Sequence, residues 1–273
     1  SMAEAYTAHP CTMTGPYKCE GLKCGEGDKR YQGVCDKDGC DLNPYRAGVT
    51  DFYGPGKTVD SNKPLTVVTQ FITSDGTDTG DLKEIRRVFV QDGKVFEHPK
   101  SNISGIDTQH DSITDEMCDS FKDIMGDPND FKKKGGLKQM GESMKNGMVL
   151  VMSIWDDHAA NMLWLDSTYP TDKTTVGGPR GECATTSGKP SDVEAQHPNA
   201  GVKFSDVKFG EIGSTFNGTP GPSPTPPGPG PSPACPGGSL SACIGLCPSS
   251  PAVAFQACVG VCTSRCSSAE AFL

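Results

Sequence analysis

The sequence predicts a mainly β domain of the sandwich type with long loops, then a Pro-rich linker, then a small disulfide-stapled helical hairpin. Three observations carry this expectation. Runs rich in β-branched residues recur through the first 216 residues, and only one or two short amphipathic stretches interrupt them. Composition breaks sharply after Phe216. Beyond the break, cysteines recur four residues apart.

The elements follow in chain order. Leu65–Thr73 (LTVVTQFIT) is β-branched and bounded by turn residues, so it reads as a strand. Arg87–Val90 and Lys94–Glu97 flank Asp92-Gly93, a dipeptide that favours a tight hairpin turn. In TDEMCDSFKDIMGDP, Met117, Phe121, Ile124 and Met125 share a helical face, and Gly126 and Pro128 stop the run. Leu137, Met140 and Met144 mark a second helix. Met148–Trp155 and Met162–Leu165 read as a hairpin around DDHAAN, and Val202–Phe209 alternates as a strand should.

Residues 217–234 hold eight Pro and four Gly in eighteen residues, with no charge. Such a stretch cannot bury a core and favours extended polyproline II, so it reads as a linker. The tail, 235–273, carries Cys235, Cys243-x3-Cys247 and Cys258-x3-Cys262-x3-Cys266. Cysteines four apart fall on one helical face, so helices at about 239–247 and 253–265 can staple face to face. The tail resembles the alpha-hairpinin peptides. Six cysteines allow fifteen connectivities; the natural one pairs Cys243 with Cys262 and Cys247 with Cys258, leaving Cys235 with Cys266.

Composition bounds the partners. The chain has 273 residues and a net charge of −9, which argues against nucleic acid or an anionic membrane. No apolar run approaches the ~20 residues of a spanning helix. Thirteen cysteines without a single Cys-x2-Cys, and five scattered histidines, point to disulfides in a secreted protein and to no metal or cofactor. Sequons at Asn102 and Asn217 fit that route. The start, Ser1-Met2-Ala3-Glu4, is no signal peptide, and with the odd cysteine count it leads us to expect a fragment.

Chemistry-bearing residues are few. Trp155 and Trp164, the only tryptophans, would be diagonal neighbours on one face of the expected hairpin. They suit either a core or a sugar-stacking platform flanked by Asp156, Asp157, His158 and Asn161; spacing alone leans towards core. Asp36-Lys-Asp38-Gly39-Cys40-Asp41 fails as a calcium loop, because Gly39 falls at the fourth position and Ala47 at the twelfth. It remains an acidic turn tied by disulfides, or a set of acceptors for sugar hydroxyls. Arg30 and Arg180 could donate to the same ligand.

The order of several long segments is distinctive. TAHPC (Thr7–Cys11), KRYQGVCDKDGCDLNPYRAG (Lys29–Gly48), FYGPG, LTVVTQF, KGGLKQM, GMVLVMSIWDDHAANMLWLDSTYPT (Gly147–Thr171), RGEC (Arg180–Cys183) and VKFSDVKFGEIGST closely resemble family 7 glycoside hydrolases, the cellobiohydrolases and related cellulases. The resemblance covers residues 1–216. It implies a concanavalin-like β-sandwich (jelly roll) with a cellulose-binding cleft or tunnel, in a secreted, monomeric enzyme that needs no cofactor. It makes Trp164 a sugar platform. Trp155, Asp156, Arg30, Asp38, Asp41 and Arg180 would line the product side, His9 would lie near the scissile bond, and Tyr169 would be a further substrate-side residue. It also implies disulfides Cys11–Cys35, Cys19–Cys24 and Cys40–Cys118, with Cys183 unpaired.

The sequence departs from the family in one decisive way. The family hydrolyses with retention through a Glu-x-Asp-x-x-Glu motif on one strand, and residues 1–273 contain no such motif. The expected chain is therefore the C-terminal part of the catalytic domain, inactive alone. Two smaller departures, a short loop between Cys24 and Arg30 and His158-Ala159 where paired tyrosines often stand, would open a tunnel slightly. A cellobiohydrolase is the main expectation. An endo-β-1,4-glucanase of the same family, or a noncatalytic cellulose-binding derivative, is the alternative.

Overall fold

A computed structural model describes residues 2–217 and the backbone of 219–220. The expected tail helices, the cysteines from Cys235 to Cys266 and nearly all of the linker lie outside the described residues.

Among the described residues, eight strands form three sheets. β1 (Tyr6–Ala8) pairs antiparallel with β2 (Cys40–Leu42), Thr7 standing opposite Asp41. Alternation sends Tyr6, Ala8, Cys40 and Leu42 into the core and leaves Thr7 and Asp41 on the other face. β3 (Tyr53–Gly54) and β4 (Val59–Asp60) make a short parallel pair. The main sheet runs β5 (Thr66–Thr73), β6 (Leu82–Gln91), β7 (Lys94–Glu97) and β8 (Thr219–Pro220). The β6–β7 turn is Asp92-Gly93, and both residues have positive φ, at 52° and 73°. That is the backbone a two-residue turn needs to match strand twist.

Helices pack on this frame. α1 (Asp115–Met125) starts at Thr114, whose side chain accepts the Met117 N–H at 3.0 Å, and ends at Gly126 in the left-handed region. Met117, Cys118, Phe121 and Met125 are buried, whereas Ile124 sits at the stripe's edge and is more than one-third exposed. α2 (Asp130–Lys133), which periodicity had not suggested, is capped by Asn129. α3 (Gly136–Lys145) buries Leu137 and lays Met140 and Met144 against the same core. That core joins β1, β2 and β6 to the three helices, and the Cys40–Cys118 disulfide ties β2 to α1. The other disulfides among the described residues are Cys11–Cys35 and Cys19–Cys24, and Cys183 is a free thiol there. A second cluster, Phe52, Val59 and Phe89, lies under β3 and β4.

Two expectations need correcting. Met148–Trp155 and Met162–Leu165 do not form a hairpin: 148–155 has no ladder partner among the described residues, and Leu163–Asp166 is a short helix, α4. Asn161 and Met162 have positive φ, which turns the chain out of an extended path. Val202–Phe209 likewise forms no strand there. β-Branched alternation makes a strand only where another strand supplies hydrogen bonds. Here Val149 is 87% exposed and Phe209 100%, so neither segment meets a second sheet edge among the described residues. A further short helix, α5 (Pro190–Gln196), lies between them.

Candidate functional site

The site is built from loops and the solvent-facing side of β2. Asp41 projects there and accepts from Arg46 Nη1 at 2.6 Å. The Arg46 side chain is only 4% exposed and also donates to the Gly177 carbonyl at 3.0 Å and to Asp127 Oδ2 at 2.5 Å. Asp127 in turn holds Lys173 at 3.0 Å, and Arg180 Nη1 lies 3.5 Å from the free oxygen of Asp41. The result is a chain of alternating charge, Arg180–Asp41–Arg46–Asp127–Lys173, with three cations and two anions. Asn43 fixes its far end: its amide donates to the carbonyls of Leu165 and Arg180 at 2.9 and 3.0 Å. Burial opposes ionisation of Asp127, but the charges and hydrogen bonds of Arg46 and Lys173 outweigh it and hold its carboxyl below the ordinary range. Burial pulls Arg180 down, against the pull of Asp41.

The acidic turn between Cys35 and Cys40 is a second group. Asp36 is buried, and its carboxylate accepts the Asp38 N–H at 3.0 Å. Its carbonyl accepts from His9 Nδ1 at 2.9 Å. Gly39 is required beside it. Its φ is +73°, and a Cβ there would come within 2.6 Å of the His9 ring and 2.3 Å of the Thr7 side chain. Arg30 Nε donates to Asp38, and its Nη2 donates to the Lys37 carbonyl at 3.0 Å. Burial, helped by the hydrogen bond and charge of Asp38, pushes the Tyr31 phenol up to about 12.

The tryptophans form a third group. Their rings stack with centroids 6.2 Å apart and planes 25° from parallel. The stack arises from α4 turning back on the preceding loop rather than from cross-strand neighbours. Asp157 holds it: Oδ2 accepts Trp164 Nε1–H at 2.8 Å, and the carboxylate also accepts the N–H groups of Ala159, Ala160 and Met162 at 2.9, 3.1 and 3.3 Å. Trp155 is more than half exposed and Trp164 partly so; neither is core. Asp156 points instead towards His158, 3.3 Å away. Tyr169 is exposed at the edge, its N–H bonded to the Gly178 carbonyl.

The structure thus joins Asp41 to Arg180, Arg30 to Asp38 and Trp155 to Trp164. Arg30 and Arg180 hold different acids. Sequence reasoning missed Arg46, Asp127, Lys173 and Asn43. A lone Arg or Asp carries no periodic signal, and Asp127, between Gly126 and Pro128, looked only like a helix stop.

Comparison with known proteins places the chain. The Glycosyl hydrolase family 7 model matches residues 1–216. Exoglucanase GH7B from Limnoria quadripunctata is 53% identical over 215 residues, 78% of this chain and 47% of that protein. A family 7 cellobiohydrolase structure from Daphnia pulex is 56% identical, with a TM-score of 0.77 over 79% of this chain and 50% of that one. A double mutant of the endocellulase EGI of Humicola insolens is 37% identical, with a TM-score of 0.64 over 80% of this chain and 49% of that one. The chain spans about half the length of these relatives. With the family model matching most of the chain and with these likenesses, the chain belongs to glycosyl hydrolase family 7.

Proposed function

We propose that the chain supplies the substrate-holding side of a secreted cellulase that cleaves β-1,4-glucosidic bonds with retention and releases cellobiose from chain ends. Its domains would be 1–216, part of the catalytic β-sandwich; 217–234, a linker; and 235–273, a helical hairpin. The observation that carries this reading is the Arg180–Asp41–Arg46–Asp127–Lys173 chain, which Asn43 ties to the Leu165 carbonyl next to Trp164, together with the stacked Trp155 and Trp164. A glucan needs apolar ring faces to pack on and fixed donors and acceptors for its hydroxyls, and these residues provide both. Arg180 and Asp41, with Arg30 and Asp38, would hold the product side. Trp164 would stack a sugar, Trp155, Asp156 and Tyr169 would flank it, and His9 would approach the bond broken.

Retaining hydrolysis needs an acid/base and a nucleophilic carboxyl about 5–5.5 Å apart. Residues 1–273 contain no Glu-x-Asp-x-x-Glu, so the acids here orient hydroxyls rather than attack carbon. Three disulfides suit an oxidising, extracellular setting, and no described helix is long and apolar enough to cross a membrane. Asn102 and Asn217 are exposed, as glycan acceptors must be. The likeness to an endocellulase, with the short segment after Cys24, favours an endo-acting enzyme as the second reading.

The test is a chimera in which the catalytic-strand half of the Daphnia pulex cellobiohydrolase precedes this chain. It should release mainly cellobiose with retained anomeric configuration. Trp164→Ala should weaken long-chain binding more than it slows cleavage of a small aryl glycoside, because stacking acts away from the bond broken. Random internal cuts would select the endo reading. A folded chimera that binds cellulose without cleaving it would leave a binding protein.

A further inference from the structure

We infer that Asp156, His158 and Glu194 form a divalent transition-metal site, best suited to Zn²⁺, that clips the turn after Trp155 to α5. Asp156 and His158 come from the loop, and Glu194 comes from the helix 36 residues further on. One ligand atom from each lies within 4.8 Å of the others. His158 Nε2 is 3.3 Å from Asp156 Oδ1 and 3.5 Å from Glu194 Oε1.

Those two distances suit shared ligation of one ion. Charge-assisted N–H···O bonds close to about 2.7–2.9 Å. A single Nε2–H can also aim at only one oxygen, yet here both carboxylates stand at nearly equal, longer range. Zn²⁺ with bonds of about 2.0–2.2 Å sets its tetrahedral ligands roughly 3.3–3.6 Å apart. Both edges fit that figure. The third, between the two carboxylates, lies within 4.8 Å. One imidazole with two carboxylates is a set that Zn²⁺ takes readily and that Mg²⁺ and Ca²⁺, which prefer oxygen alone, do not. A water would fill the fourth position. Sequence spacing hid the site because no two of its ligands make a recognised motif.

The test uses the full chain carrying Cys183→Ser, which removes the free thiol found among the described residues. Zn²⁺ is titrated by calorimetry at pH 7.5 in a non-coordinating buffer. One equivalent should bind, and His158→Ala and Glu194→Gln should each weaken it about tenfold or more. Both side chains are well exposed, so the variants lose no packing, and circular dichroism checks this. On the unmutated surface, Co²⁺ should shift the NMR signals of His158 before those of the other four histidines. Binding that both substitutions leave unchanged, first perturbation at another histidine, or no saturable binding up to about 1 mM Zn²⁺ would overturn the assignment.

Discussion

Arg46 is the keystone of the charge chain, and replacing it with Met tests whether that chain holds the site. Met keeps most of the aliphatic volume and removes the guanidinium. Asp41 and Asp127, only 14% and 22% exposed, then lose their closest cation. Breaking a buried ion pair from one side costs about 3–5 kcal/mol, because a buried charge is left uncompensated. Here Lys173 stays 3.0 Å from Asp127, and Arg180 stays 3.5 Å from Asp41. That places the cost at the low end, about 3 kcal/mol. With a urea m-value of about 2 kcal/mol/M, the unfolding midpoint should fall by about 1.5 M. Adding Asp127→Asn should recover part of the loss, since the second change removes the orphaned charge. The pH dependence has a definite sign. The native Asp127 carboxyl lies below its ordinary value of 3.8, so its contribution is full above that pH and is lost as pH falls through the lower native value. In Arg46→Met the loss should begin at higher pH. A midpoint shift under about 0.5 M would mean that water serves these carboxylates as well as Arg46 does, and the argument for a preset site would fail.

Three further outcomes are expected. The Cys40–Cys118 bridge closes a loop of 78 residues, for which chain entropy gives about 4.5 kcal/mol, so Cys40→Ala/Cys118→Ala should lower the urea midpoint by about 2 M; a loss below about 1 kcal/mol would show that the unfolded chain is not what the bridge restrains. Asp157→Ala removes the acceptor for four N–H groups, so tryptophan emission should change and stability should drop by about 2–3 kcal/mol; unaltered emission would show that Asp157 does not set the Trp164 ring. Burial pulls the His98 imidazole down to about 4, so its NMR titration should have a midpoint near 4, and its share of stability should be full above pH 6.5 and fall as pH drops towards 4. Glu4, pushed up to about 7 by burial, acts in the opposite sense close by, so the ring signal is the cleaner readout; a midpoint at or above 6 would refute the buried neutral ring.

What the sequence by itself determined is local. Thr114 and Gly126 mark the ends of α1 because a cap acts on the next turn of its own chain. Asp92-Gly93 sets the β6–β7 turn because positive φ is a property of those two residues. The long segments shared with family 7 revealed the family before any coordinate did. Periodicity failed where the outcome depends on a distant partner. Met148–Trp155 and Val202–Phe209 have strand-like composition, yet a strand exists only when another edge accepts its hydrogen bonds, and none does among the described residues. Only the tertiary structure decided the site. Arg46 meets Asp127 across 81 residues, Asn43 reaches Arg180 across 137, and the tryptophans stack through a short helix and an aspartate rather than across a hairpin. Charge pairing and ring stacking act between neighbours in space, over a few ångströms, and nothing in the one-dimensional order of residues records which distant segments the fold brings that close.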